Sequence, residues 1–162
     1  MDALALDELQ KRSFDGASAA TNSAYPPESR VPGVLLDRLL RARKYIVVAT
    51  TRRNGTPHAA MSSFALADGK VWLPTEAGTA RIRNLRRNPH ASLVLTEGED
   101  ETHAVVLMDG PVTLVPDADA PASSRAAWKN KFSHEPGWAK HWICVEPRRL
   151  FSYAASRWSL VE

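Results

Sequence analysis

The run Tyr45-Ile-Val-Val-Ala-Thr-Thr-Arg-Arg-Asn-Gly-Thr-Pro-His58 moves from β-branched residues into an Asn-Gly step and out again. Valine, isoleucine and threonine suit a pleated, half-buried surface, and Asn54-Gly55 is the dipeptide of a tight hairpin turn. The pattern predicts a strand over 45–51 and an antiparallel return over 58–67. Asp68-Gly69 supplies a second turn of the same chemistry, leading into Val71-Trp72-Leu73. Two such turns so close together specify antiparallel sheet.

Upstream, Val34 to Lys44 carries Leu35, Leu36, Leu39 and Leu40 at helical spacing, which predicts a helix entering the sheet. Residues 1–30 hold a short amphipathic start, Leu4 to Leu9, then Gly16-Ala-Ser-Ala-Ala and Tyr25-Pro-Pro-Glu-Ser. They read as a partly ordered N-terminal extension that drapes over the body or stays loose, with the domain proper over 31–162. Downstream, Thr79 to Arg87 reads as a short helix stopped by Asn88-Pro89. Ala91 to Thr96 and His103 to Val115 form two strands across an acidic turn. Asp109-Gly110-Pro111 within the second is either a bulge or a true turn. A helix over Pro121 to Phe132 and strands over Trp142 to Glu146 and Leu150 to Ala154 complete the chain. Six or so strands with two or three short helices give a small β-barrel with α decoration.

A chain of 162 residues with 44% hydrophobic and 24% charged residues supports one globular core. The longest apolar runs, Tyr45 to Ala49 and Ala104 to Met108, fall far short of the roughly 20 residues needed to cross a bilayer. Met1 is followed by acidic residues rather than a basic and then apolar stretch, and Cys144 has no cysteine to pair with. A cytoplasmic protein without metal is the expectation. Neither the five histidines nor Cys144 shows a trusted metal-ligand spacing. Ser62-Ser63 lacks the glycine context of a hydrolase elbow. The net charge of +3 is modest for nucleic-acid binding. Yet Arg81, Arg83, Arg86 and Arg87 fall within seven residues. That cluster either meets an anion or forms a solvated helix face.

Pro74-Thr-Glu-Ala-Gly-Thr-Ala-Arg-Ile-Arg-Asn-Leu-Arg-Arg-Asn-Pro89 carries the chemistry. A strand ends, a Gly-Thr step opens a helix, and an arginine stands in its first turn. A cation there is unfavourable beside the exposed amides unless an anion intervenes. Gly78 allows close backbone approach, Thr75 and Thr79 offer hydroxyls, and Arg81 offers a bidentate fork. Together they can cradle one phosphate group. Without a ligand, Thr79 is an N-cap and Arg81 points to water.

These two blocks, Val47 to His58 and Thr75 to Pro89, resemble the flavin-reductase-like split β-barrels of the pyridoxamine 5'-phosphate oxidase type, including their branch that uses deazaflavin coenzyme F-420. The resemblance covers roughly residues 35–155. It implies a mainly β (α+β), six-stranded antiparallel split β-barrel of the FMN-binding type. It implies that Thr75, Thr79 and Arg81, with Gly78, hold a ribityl phosphate. Asn84 matches a position near the cofactor, and Ala60, Met61 and Ser62 lie under the isoalloxazine. Arg87, with Arg83, Arg86, Arg52 and Arg53, is available to the carboxylate tail of F-420. Ala60 and Ala80 stand where true pyridoxamine phosphate oxidases carry basic residues, and Arg157-Trp158 lacks the substrate-gripping histidine. The implied activity is therefore an oxidoreductase using FMN or F-420 on a small unsaturated substrate, homodimeric, without a catalytic dyad. The alternative is a non-catalytic flavin, deazaflavin or haem binder. One of the five tryptophans is expected beside the ring.

Overall fold

In the computed structural model, which describes residues 1–160, β1 (Tyr45–Thr51) and β2 (Pro57–Ser63) pair antiparallel across the Asn54-Gly55 turn, from Tyr45 opposite Ser63 to Thr51 opposite Pro57. Gly55 takes φ +83°, which the turn requires. The expected return strand over 58–67 is divided at Phe64. Its last three residues, β3 (Ala65–Ala67), pair instead with β4 (Lys70–Thr75) across Asp68-Gly69. Phe64 is fully buried at the break, so core packing bends the chain from one half of the sheet to the other.

β5 (His90–Glu97) pairs with β1 and with β6 (Ala104–Pro116), a single strand of 13 residues. Asp109-Gly110-Pro111 is neither a turn nor the end of that strand. It is where β6 changes partners, from β8 (Arg149–Ala154) to β7 (His141–Val145). A Cβ on Gly110 would lie 2.0 Å from the Glu146 carbonyl oxygen, so the crossing admits only glycine. β7 also pairs with β4, giving the order β2-β1-β5-β6-β7-β4-β3 with β8 on β6. The architecture is a mainly β antiparallel split barrel. It has eight strands rather than six: the residue pattern itself marks seven, and the division of the return strand at Phe64 makes the eighth.

Alternation along β4 and β7 separates two apolar layers. Val71, Leu73, Ile143 and Val145 face the main core, whereas Trp72, Trp142 and Cys144 face the other way, under Trp128 of α5 (Ala122–Phe132). Three of the five tryptophans thus fill this second layer, with Trp128 edge-on to Trp142 at 6.0 Å between centroids.

The first thirty residues are not loose. Asp2 caps α1 (Ala3–Asp15), and Leu6, Leu9 and Phe14 of that helix are buried against α3 (Gly33–Ala42) and β8. Buried hydrogen bonds fasten it: Gln10 donates to the Val31 carbonyl at 3.0 Å, and the Leu150 amide donates to Ser13 Oγ at 2.8 Å. A second short helix, α2 (Ala19–Ala24), is capped by Ser18. Residues at i, i+3 and i+8 of α1 supply apolar surface that completes the core, which a reading of Leu4 to Leu9 alone undercounts. Leu6→Ala should therefore cost about 2–5 kcal/mol in denaturant unfolding. Leu4→Ala, at a side chain 71% exposed, should change stability by no more than about 0.5 kcal/mol.

Candidate functional site

Thr75 closes β4 on the inner face, two residues beyond Leu73, and is 1% exposed. Gly78, with φ +74°, turns the chain, and Thr79 opens α4 (Ala80–Leu85) by accepting from the Ile82 amide at 3.4 Å. Capping uses only a lone pair of Thr79, so its hydroxyl proton stays available. The Gly78 carbonyl accepts from the Arg83 guanidinium, which steadies the turn. Ile82 and Leu85 enter the same core as Leu73 and Ile143, fixing α4 against the sheet.

Besides the indole nitrogens of Trp128 and Trp158, three buried side-chain polar atoms among the described residues lack a partner, and these mark the site. Thr75 Oγ1, Arg81 Nη1 and His141 Nδ1 are buried without a hydrogen-bond partner. Arg81 also has no carboxylate partner among the described residues, and burial pushes its guanidinium below the usual arginine range. His141 opens β7 directly opposite Thr75, where the Lys140 amide donates to the Thr75 carbonyl at 3.0 Å. Residues facing each other across an antiparallel pair have Cβ atoms about 5 Å apart on the same face. Thr75 and His141 therefore put two unpaired groups at one end of the inner face, and Arg81 follows six residues after Thr75 in the first turn of α4, a set that matches a ligand rich in acceptors and negative charge. A phosphate group fits: a hydroxyl, a guanidinium fork and an imidazole are its ordinary partners.

The sequence-derived residues divide accordingly. Thr75, Gly78, Thr79 and Arg81 are together at the β4–α4 junction. Asn84 is buried and donates to Thr50 Oγ1 on β1 at 2.9 Å, so its amide ties helix to strand. Arg87 is exposed, with Nη1 3.3 Å from the Arg83 carbonyl, and Arg52, Arg53, Arg83 and Arg86 are also exposed. Ala60 and Ser62 pair with Val48 and Ile46 and face inward, whereas Met61 points out and is 67% exposed. Strand alternation prevents these three from forming one continuous floor. His141 was missed by sequence reading because its partner lies 66 positions earlier in the chain. Among the described residues there is no group of three or more metal-ligating side chains, and no helix is long and apolar enough to cross a membrane.

A model of the family described as pyridoxamine 5'-phosphate oxidase matches residues 35–162. The chain belongs to the pyridoxamine 5'-phosphate oxidase family. No curated protein matches its sequence significantly. Among solved structures, the conserved hypothetical protein Rv2991 of Mycobacterium tuberculosis superposes with a TM-score of 0.72 at 19% identity, covering 85% of this chain and 97% of that one. An FAD-binding protein of Mesorhizobium loti gives 0.59 at 19% identity, over 78% and 96% of the two chains. HutZ, the heme storage protein of Vibrio cholerae, gives 0.61 at 19% identity, over 74% and 92%. At such identities these likenesses establish the split-barrel fold alone.

The unpaired hydroxyl generates a prediction of opposite signs. Thr75→Val keeps the shape and removes a buried polar group that has no partner, so the ligand-free protein should gain up to about 1–3 kcal/mol of stability. The same variant should bind FMN or F-420 more weakly, read by thermal melts with and without the coenzyme.

Proposed function

We propose that this family member is an oxidoreductase that binds FMN or coenzyme F-420 through its ribityl phosphate and transfers hydride to or from a small unsaturated substrate. The observation that carries the reading is the pair Thr75 and His141 at the end of β4 and β7, with Arg81 opening the helix that follows, whose buried polar atoms lack partners. FMN and F-420 share the ribityl phosphate that would satisfy them. When bound, the flavin or deazaflavin supplies the hydride chemistry, and no catalytic dyad is needed from the chain. Arg81 neutralises the phosphate, and the hydroxyls of Thr75 and Thr79 fix its orientation. Trp138, 45% exposed just before β7, is the tryptophan free to meet the coenzyme's ring.

A second copy of the chain completes the pocket in this reading. Supporting it, Met61 and Tyr45 are 67% and 58% exposed on the outer face of the β1–β2 pair, and both line a shallow cavity of about 230 Å³ with Val47 and Val94. An apolar strand face of this kind suits a homodimer contact. The basic groups at the same end of the barrel favour F-420. Arg83, Arg86 and Arg87 on and after α4 and Arg52 and Arg53 in the β1–β2 turn are exposed, while Asn84 joins α4 to β1. The second reading, a non-catalytic flavin, deazaflavin or haem binder, is consistent with structural relatives named for FAD binding and for heme storage.

One set of measurements separates these outcomes. Arg81→Glu should abolish retention of either coenzyme while leaving the unfolding transition cooperative, and wild-type affinity in that variant would refute the phosphate cradle. Replacing Arg83, Arg86 and Arg87 with alanine should weaken F-420 more than FMN. Wild-type binding with no turnover across a panel of conjugated acceptors would favour the storage reading over the enzyme.

A further inference from the structure

A cavity of about 440 Å³ lies between α5, the β3–β4 turn and the last turn of α3, and it shares no residue with the β4–α4 corner. Leu66, Ala67, Ala126 and Ala127 give it small apolar walls, and Lys131 of α5 and Arg41 of α3 bring two cations to it. Lys131 is half-buried and makes no ion pair among the described residues. Its Nζ donates to the Leu40 carbonyl at 2.9 Å, near the C-terminal end of α3, and stands 3.6 Å from the centre of the Phe64 ring. The charged groups around it supply no free anion. Asp68, the carboxylate that lines the cavity from the β3–β4 turn, accepts from Ser123 Oγ. On α3, Asp37 is held by Arg41 at 2.9 Å. Lys44, just after α3, is another cation, 5.8 Å from the Phe132 ring, and Lys129 on α5 is exposed.

Burial first, and then the charge of Arg41, push the Lys131 ammonium from the ordinary 10.5 down to about 7. About half of such an amine is unprotonated at neutral pH, on the order of a thousand times the fraction for an exposed lysine. The Leu40 carbonyl and the Phe64 face suit an ammonium, yet a neutral amine keeps the bond to Leu40 with one N–H and retains its lone pair. A lysine desolvated beside a second cation is activated as a nucleophile. We propose that Lys131 is a nucleophilic amine that captures a small oxo acid, an aldehyde or ketone carrying a carboxylate, as an imine in this cavity. The Nζ lone pair forms a bond to the carbonyl carbon, and one nitrogen proton passes to the carbonyl oxygen. The resulting carbinolamine loses its hydroxyl and the second nitrogen proton as water, leaving the C=N bond. Neither step oxidises or reduces anything. Arg41 supplies the charge that selects a carboxylate, and the alanine and leucine walls admit only a small body.

The test incubates the wild-type protein with glyoxylate, or with propionaldehyde as its neutral counterpart, from about pH 5.5 to 9.5. Sodium cyanoborohydride reduces each imine to a stable secondary amine, and peptide mapping by mass spectrometry assigns the labelled sites. The ratio of labelling at Lys131 to labelling at the exposed Lys129 in the same sample cancels the reductant's own pH dependence. With glyoxylate that ratio should be at least about tenfold at pH 7 and fall as pH rises, because Lys131 is already unprotonated while Lys129 is still losing its proton. Normalised in the same way, glyoxylate should label Lys131 in preference to propionaldehyde. Arg41→Gln should shift the Lys131 profile to higher pH and slow glyoxylate more than propionaldehyde. The main readout needs no variant, so misfolding cannot mask it. A ratio near one at pH 7 would overturn the nucleophile and leave Lys131 as a cation that caps α3. Strong labelling with no preference for glyoxylate, or with equal losses for both carbonyls in Arg41→Gln, would overturn the assignment to oxo acids.

Discussion

A half-buried guanidinium with one N–H arm out of water and unpaired is a costly arrangement for a small domain, and Arg81 is held that way. Ion pairs elsewhere in the chain, such as Arg43 with Glu97 or Arg149 with Asp109, satisfy their arginines locally. At the β4–α4 junction no carboxylate does so among the described residues, and a hydroxyl and an imidazole stand equally unsatisfied. The rest of the barrel is built so that this corner cannot relax. Ile82 and Leu85, on one face of the helix, are core residues, and Asn84 is bonded to β1, so α4 cannot rotate to turn Arg81 further into solvent without breaking both.

The sheet supplies the other half of the constraint. β4 and β7 are adjacent because β6 runs straight through its Gly110 crossing and changes partner there. That register brings His141 opposite Thr75. The second apolar layer, with Trp128, Trp142 and Trp72, locks the outer faces of the same two strands. A packed tryptophan layer behind β4 and β7 gives rigid support to Thr75 and His141, an arrangement that would suit binding by preorganised donors.

How much of this is visible in the chain itself depends on the distance over which each feature acts. The turns at Asn54-Gly55 and Asp68-Gly69 are local, and so is the step from strand to helix over Thr75 to Arg81; these were legible. The break at Phe64, the role of Gly110 and the pairing of Thr75 with His141 arise from contacts between distant segments and leave no local signature. α1 was legible only in part. Its apolar positions recur at helical spacing, but they are diluted by polar neighbours, and the partners that bury them lie beyond residue 30. Ala60-Met61-Ser62 illustrates the opposite failure: a strand read as a block of three contributes its side chains to two faces. The tryptophans give no local signal for the same reason, since aromatic residues serve cores and ring walls alike: Trp72, Trp128 and Trp142 are buried in the second layer, Trp158 is half-buried against the main core, and Trp138 is exposed.

The most direct measurement is a crystal structure of the protein grown with FMN or F-420. The account predicts phosphorus density at the end of β4, with the Thr75 and Thr79 hydroxyls and the Arg81 guanidinium turned onto its oxygens. A coenzyme bound elsewhere on the barrel, with that corner unchanged and Arg81 still unpaired, would contradict it.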